Sequence, residues 1–442
     1  MDIHSHRPLF RRLVALALLL PLSVGSLQAQ GAATSDTVRL TLDSCLSYAF
    51  GHNVTVQTAL LQREAAASAL TAARLSFTPS LSASVGEDIT IFGGTTSANT
   101  SYGVGGSLVL FNGLQQVNNL RQSKVEQRRS DLAVDKSRND IATEIVSACL
   151  DIMANSERLG YLRELQSTSQ EQAEDGAAKM RAGSILESDW LMLDASSRKA
   201  ACDVDNARLA IDAAAARLRV LLNLPGRVPI AIEALAADTA LMALPSLDEV
   251  IRRASETLPD LQMADLAVQK AEYDLRMARG GYAPSLGLNA YASYFGGESY
   301  RTDASGMIVT NGGINTTLSM ALSIPIVNRG NTRTRVAQAK LSLQQAQLDV
   351  DNTRQELVRT IEERYNTLCQ ARNTYAAARL MQQANEATLR VYQAKYNAGT
   401  VSTVELVQQQ ERYLTAVNDY VQSKYSCLLS QKILEIYTGA GL

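Results

Sequence analysis

From Asn331 to Ala398 the chain runs 68 residues without a glycine or a proline. At about 1.5 Å per residue such a run makes a helix on the order of 100 Å long, wider than a compact globular domain. After Gly399 a second uninterrupted run, 400–438, comes back. The stretch "KYNAGTVSTVEL" (395–406) between them therefore reads as the tip of a long antiparallel helical hairpin. A shorter echo, "KMRAGSILESDWL" (179–191), joins the runs 116–159 and 184–224. There Gly160 and Gly176 read as weak interruptions. Both tips place an acid six residues after the glycine, Asp189 after Gly183 and Glu405 after Gly399.

The echo is part of a duplication. Residues 41–81 lie over 246–286 without a gap, matching Leu42/Leu247, Asp43/Asp248, Ala49/Ala254, Arg74/Arg279 and Pro-Ser-Leu at 79–81 and 284–286. The offset is 205 there and 216 at the tips, so eleven extra residues lie within 287–327. A repeat this long is a duplicated domain rather than a short solenoid unit. Each copy is expected to hold one helix (42–76 and 247–279), two strands and a hairpin. Copy one spans 30–226 and copy two spans 246–442, with a linker at 227–245.

The seam of the long helices is narrow. In "RVAQAKLSLQQAQLDV", Val336, Ala339, Leu341, Leu343, Ala346 and Leu348 fall near heptad spacing, the pattern of a coiled coil. Two architectures fit: an extended coiled coil, or a hollow tube that is polar on both sides.

The strands decide between them. Segments 79–92, 101–111, 284–295 and 313–325 alternate apolar residues with serine, glycine, asparagine and threonine. Alternating segments of about ten residues are the signature of outer-membrane barrel strands. Phe77, Phe111 and Tyr282 cluster at one end and Phe92, Phe295 and Tyr300 at the other, as in two aromatic girdles. Four strands cannot close alone, and an open edge is not tolerated in lipid. Several copies must then share one barrel and gather their hairpins into a tube.

The N-terminus fits an exported protein. Arg7, Arg11 and Arg12, the apolar run 13–24 and a small-residue site at Ala29 read as a signal peptide at 1–29. Without it the chain carries 39 basic and 43 acidic residues, which argues against nucleic acid as a partner. His52 would be the only histidine left, so a Ser-His triad or a histidine metal site is not expected. No nucleotide-binding GxxxxGK[ST] is present, and neither an enzyme activity nor a cofactor is expected. The five cysteines, Cys45, Cys149, Cys202, Cys369 and Cys427, show no CxxC spacing. In an exported chain an odd count points to buried thiols, with room for one disulfide.

"LTLDSCLSYAFGHN", "AARLSFTPSL", "LVLFNGLQQ", "MARGGYAPSL", "SIPIVNRGNTR" and the two Ala-Gly turns, in this order and duplicated, closely resemble the TolC-type outer-membrane efflux proteins. The resemblance covers the chain beyond the leader. It implies a mainly helical homotrimer with a twelve-stranded transmembrane β-barrel, four strands per chain. Below it would lie a periplasmic α-helical barrel with a small mixed equatorial region from 226–246 and the C-terminus. It further implies a passive exit duct of a tripartite efflux or type I secretion system, in the outer membrane of a Gram-negative bacterium. The partners would be outer-membrane lipid, a periplasmic adaptor and an inner-membrane transporter. Asp189, Glu405 and Gln408 would then face the periplasmic entrance. Ala182, Gly183, Ser184, Ala398, Gly399 and Thr400 would meet the adaptor.

Two departures weaken an entrance locked by salt bridges. Gln408 and Met192 stand where some members carry a second acid, and Val401 where some carry an arginine. Ser402-Thr-Val-Glu405 is also a capping box, so Glu405 reads equally as a helix cap. The alternative from another class is a periplasmic coiled-coil adaptor or structural protein, against which the four strands argue.

Overall fold

A computed structural model describes residues 38–92, 95–226, 229–233, 244–301 and 309–439. The leader and most of the linker lie outside the described residues. So do the side chains of Phe92, Phe295 and Tyr300, the second girdle. In chain order the elements are β1 (Val38–Leu40), α1 (Leu42–His52), α2 (Val54–Leu75), β2 (Ser80–Phe92), β3 (Thr95–Asn112), α3 (Gln115–Arg181) and α4 (Glu187–Leu221). Then follow β4 (Ile230–Ile232), α5 (Leu247–Thr257), α6 (Pro259–Gly280), β5 (Ser285–Arg301), β6 (Val309–Ser323), α7 (Asn331–Asn397) and α8 (Thr403–Tyr437). The helices repeat in order and in length, 11, 22, 67 and 35 residues in each half.

The single helices expected at 42–76 and 247–279 are each broken in two, at Asn53 and at Leu258. Asn53 is extended, and its Oδ1 accepts from the backbone N–H of Thr55 and Val56, capping α2. Leu258 precedes Pro259, and the proline ring drives the residue before it out of the helical region while fitting the first turn of α6. Both breaks serve a joint. Asn53 Nδ2 donates to the carbonyl of Leu221 at 2.8 Å, so the end of α4 meets the start of α2. Likewise Thr257 Oγ1 donates to the carbonyl of Tyr437 at 3.3 Å, where α8 ends beside the start of α6.

Gly160 and Gly176 do not interrupt α3. A glycine costs about 1 kcal/mol in a helix interior, which neighbours along 67 residues readily offset. Gly176 is a packing site: a Cβ there would sit 2.7 Å from Leu193 Cδ1 of α4.

The long α3 packs against α2 and α6 over one part and against α4 and α8 over the other, while α7 packs against α6 and α8. Glu126–Lys270 (2.8 Å) and Gln122–Asp274 (2.6 Å) tie α3 to α6. Lys424 and Tyr425 of α8 both donate to Glu157 Oε2 of α3, at 2.6 and 2.8 Å. The largest core lies midway, where Leu42, Cys45 and Ala49 of α1 and Val250 and Ala254 of α5 pack on Ile145, Leu150, Leu218, Ile361 and Leu368. Beside it β1 pairs in parallel with β4.

On α7 the side facing the bundle is Val336, Ala339, Leu343, Ala346 and Val350, a strict three-four alternation. Leu341 and Leu348, expected in the same seam, are instead 65% and 68% exposed on a second stripe. On α2, at the other edge of this layer, Val54, Leu61 and Leu75 are exposed at seven- and fourteen-residue spacing.

The four longer strands form one antiparallel sheet in the order β2-β3-β5-β6. Directly opposed residues share a face, and the rows Val85-Tyr102-Tyr294-Ile314, Leu81-Gly106-Ala290-Leu318 and Leu108-Leu288-Met320 put the apolar set on one face. Leu81 is 80% and Leu318 73% exposed. Phe77, Phe111 and Tyr282 stand exposed where helices meet strands. The opposite face carries Ser82, Ser84, Ser107, Asn289 and Ser319, and also the larger Tyr291. Tyr291 lies over Gly103 and Gly105, where a Cβ at Gly105 would come within 2.9 Å of its ring.

Candidate functional site

The two hairpin tips are built alike. Gly183 and Gly399 take left-handed φ values of 72° and 70°, which glycine adopts without strain. Each closes its helix with paired bonds: Gly183 N to Met180 O and Ser184 N to Lys179 O, and Gly399 N to Tyr396 O and Thr400 N to Lys395 O. This is the Schellman pattern. Ala182, Gly183, Ser184, Ala398, Gly399 and Thr400 are all exposed, and a Cβ at either glycine would meet open space.

The returning helices start differently. Ser402 Oγ accepts from Glu405 N at 3.3 Å, while Ser402 N and Oγ each donate to Glu405 Oε2 at 2.9 Å. The capping box is complete. In α4 the equivalent residue is Leu186, which caps nothing with its side chain and stands 71% exposed. Asp189 is half-exposed; Glu405 and Gln408 are exposed. Among the described residues no salt bridge includes Asp189 or Glu405. The Ser402 backbone N–H, with its hydroxyl and Lys395, holds the Glu405 carboxyl below the usual glutamate range. Its contribution to the tip is therefore present above that range and is lost as pH falls through the lowered value.

The tips sit side by side. Leu193 of α4, Leu389 and Tyr396 of α7 and Leu406 of α8 form one buried cluster. Lys179 of the first tip lies 5.3 Å from the Tyr396 ring centroid of the second, a cation–π distance. Gln410 Nε2 donates to Gln172 Oε1 at 2.7 Å, and Lys199 pairs with Glu411. Sequence reasoning noted the lysine at both tips as a repeat but not that Lys179 reaches the other hairpin. Nor did it single out the exposed Leu186.

Replacing Ser402 by Ala should loosen the start of α8 by about 0.5–2 kcal/mol. Leu186→Ser should tighten α4 by a comparable amount. Amide exchange over 187–190 and 403–406 reads both, and an unchanged α8 in Ser402→Ala would contradict the cap.

Residues 250–440 match the outer membrane efflux protein family. No curated protein matches the chain. Among solved structures, CusC, studied for folding and transmembrane channel formation, is similar with a TM-score of 0.74 at 16% identity. The match covers 94% of this chain and 95% of that one. The CmeC outer membrane channel of Campylobacter jejuni gives 0.73 at 17%, covering 91% and 86%. The open-state MtrE outer membrane channel of Neisseria gonorrhoeae gives 0.68 at 18%, covering 93% of each. At these identities the likeness establishes the fold. Together with the family match it bears out the resemblance to TolC-type outer-membrane efflux proteins.

Proposed function

We propose, with that family as premise, that the chain is one subunit of a passive outer-membrane exit duct. The observation that carries this reading is the sheet: four strands, one face on which Leu81, Val85, Ile314 and Leu318 stand largely exposed, and edge strands β2 and β6 that, among the described residues, each pair on one side only. An edge cannot face lipid. Antiparallel alternation lets β6 of one copy continue onto β2 of the next, and three copies would supply twelve strands. The same ring sets the exposed stripe Leu341/Leu348 of α7 against the exposed α2 stripe Val54/Leu61/Leu75 of a neighbour, closing the tube. A coiled-coil adaptor has no use for such a sheet.

The tips then stand at the periplasmic mouth, with small exposed residues that let an adaptor approach closely. An inner-membrane transporter beyond it supplies the energy. Three copies each of Asp189, Glu405 and Gln408 near the axis would form a cation-favouring ring. Capping and gating are compatible, because the capping carboxylate of Glu405 stays exposed.

Single-channel current in a planar bilayer tests both. Wild type should conduct with cation preference. Glu405→Gln keeps an acceptor for the Ser402 cap but removes the charge, and should reduce that preference. Unchanged selectivity would reduce Glu405 to a helix cap. A folded trimer that never conducts would overturn the duct.

A further inference from the structure

We infer that α4 of one copy packs antiparallel on α7 of the next, in a register that seats Leu191 on Val391. The inference rests on the shared-barrel reading above and deepens it, since it names the residues through which two copies meet below the sheet. It starts from the duplication. Moved along by 216 residues, α3 at 115–181 becomes α7 at 331–397, and α4 at 187–221 becomes α8 at 403–437. Within one copy the halves touch through α3 and α8: Glu157 accepts from Lys424 and Tyr425, and Gln172 accepts from Gln410. These contacts set an antiparallel register in which each step up α3 is a step down α8. The equivalent faces of α4 and α7 are uncovered. On α4, Leu191 is 50% and Leu209 65% exposed, whereas their equivalents Val407 and Tyr425 pack into hydrophobic clusters. On α7, Met381 is 59% exposed, whereas its equivalent Leu165 is 9% exposed.

Two different faces that fit each other close into a ring when rotation repeats the contact. The contact that places α8 on α3 within a copy then places α4 on α7 of the neighbour. Asp194, the equivalent of Gln410, falls opposite Thr388, the equivalent of Gln172. Counting three residues outward from that pair sets Leu191 on Val391, and both are 50% exposed. Arg198 and Asp205 fall on Ala384 and Ala377, small side chains that leave room for the longer ones. At the equivalents of Glu157 and Lys424 stand Asn373 and Arg208, so the ion pair inside the copy is not repeated between copies. The seam is continuous with the α2–α7 contact described above, because α2 is the equivalent of α6, which packs on α3 within the copy.

Cysteine cross-linking of the assembled protein tests the register. Leu191→Cys and Val391→Cys are combined in one chain that also carries Cys202→Ser, which removes an exposed natural thiol. Membranes are oxidised and run on a denaturing gel without reductant. The expected result is a covalent trimer that reverts to monomer on reduction, with no product from either cysteine alone. Leu191→Cys with Leu380→Cys is the control. Leu380 lies eleven residues, about 16 Å, along α7 from Val391, and cysteines whose Cα atoms are more than about 7 Å apart are not bridged. An equal product from the control would overturn the register. A second pair needs one substitution only: the natural Cys202, which falls beside Met381, should link to Met381→Cys of the neighbour. Monomer-sized chains from both pairs, in protein that still runs as a trimer on unheated gels, would overturn the seam and leave the duct standing. A wild type that forms no trimer would instead bring down the shared barrel itself.

Discussion

Leu318→Arg is expected to strip the protein from the outer membrane. Leu318 lies midway along the apolar set of β6, in the row with Leu81 and Ala290, and is 73% exposed. An arginine facing lipid at the bilayer midplane costs about 2–4 kcal/mol. A shared barrel meets that cost once per copy, so assembly should fall by orders of magnitude. Ser319→Arg is the control one position on. Its side chain faces the other way, opposite Asn289, and there the charge would stay in water. Membrane fractionation with a trimer assay on unheated gels should show Leu318→Arg lost and Ser319→Arg retained. Equal behaviour of the two variants would mean that the apolar face does not meet lipid.

The second large effect is expected at Gly113, far from both the lipid face and the tips. Gly113 opens the turn from β3 into α3 with φ +66°. A Cβ there would come 2.8 Å from Ala283 Cβ and collide with the carbonyl of Gly280. The contact is mutual, since a Cβ on Gly280 would sit 2.6 Å from Gly113 O. It joins the strand exit of the first half to the helix–strand turn of the second. In Gly113→Val the left-handed backbone costs about 1–2 kcal/mol and overpacking a further 1–3 or so. Gly330 holds a similar φ of +79° with open space around it, so Gly330→Ala should carry the backbone cost alone. Thermal unfolding in detergent should place Gly113→Val well below Gly330→Ala; matching midpoints would show that the contact does not matter.

Much of this was readable from residue order, for local reasons. The run from Asn331 to Ala398 bounds α7, at Asn331–Asn397, to within a residue, because it holds no proline to remove a backbone donor and no glycine to take the left-handed conformation without strain. The Ala-Gly tips and Ser402–Glu405 follow from backbone freedom at glycine and from side chains bonding three residues away. Strand alternation is equally local, although the strands reach further than the apolar pattern did: β3 begins at Thr95 and β5 ends at Arg301.

Other features depend on what lies across the bundle, and no local pattern carries them. At the breaks, Asn53 and Thr257 meet helix ends 168 and 180 residues away. Leu341 and Leu348 share the heptad of their neighbours yet fall outside the seam, because α6 decides which side of α7 is covered. Tyr291 interrupts a small-polar face that alternation alone would leave empty. It fits because two glycines on the neighbouring strand leave room for a ring. The sequence by itself determined lengths, turns, caps and the two faces of each strand, since these depend on residues within a helical turn or a hairpin. The tertiary structure alone decided which stripes stay exposed and which tips stand together. Those outcomes are contacts between segments from some fifty to more than two hundred residues apart.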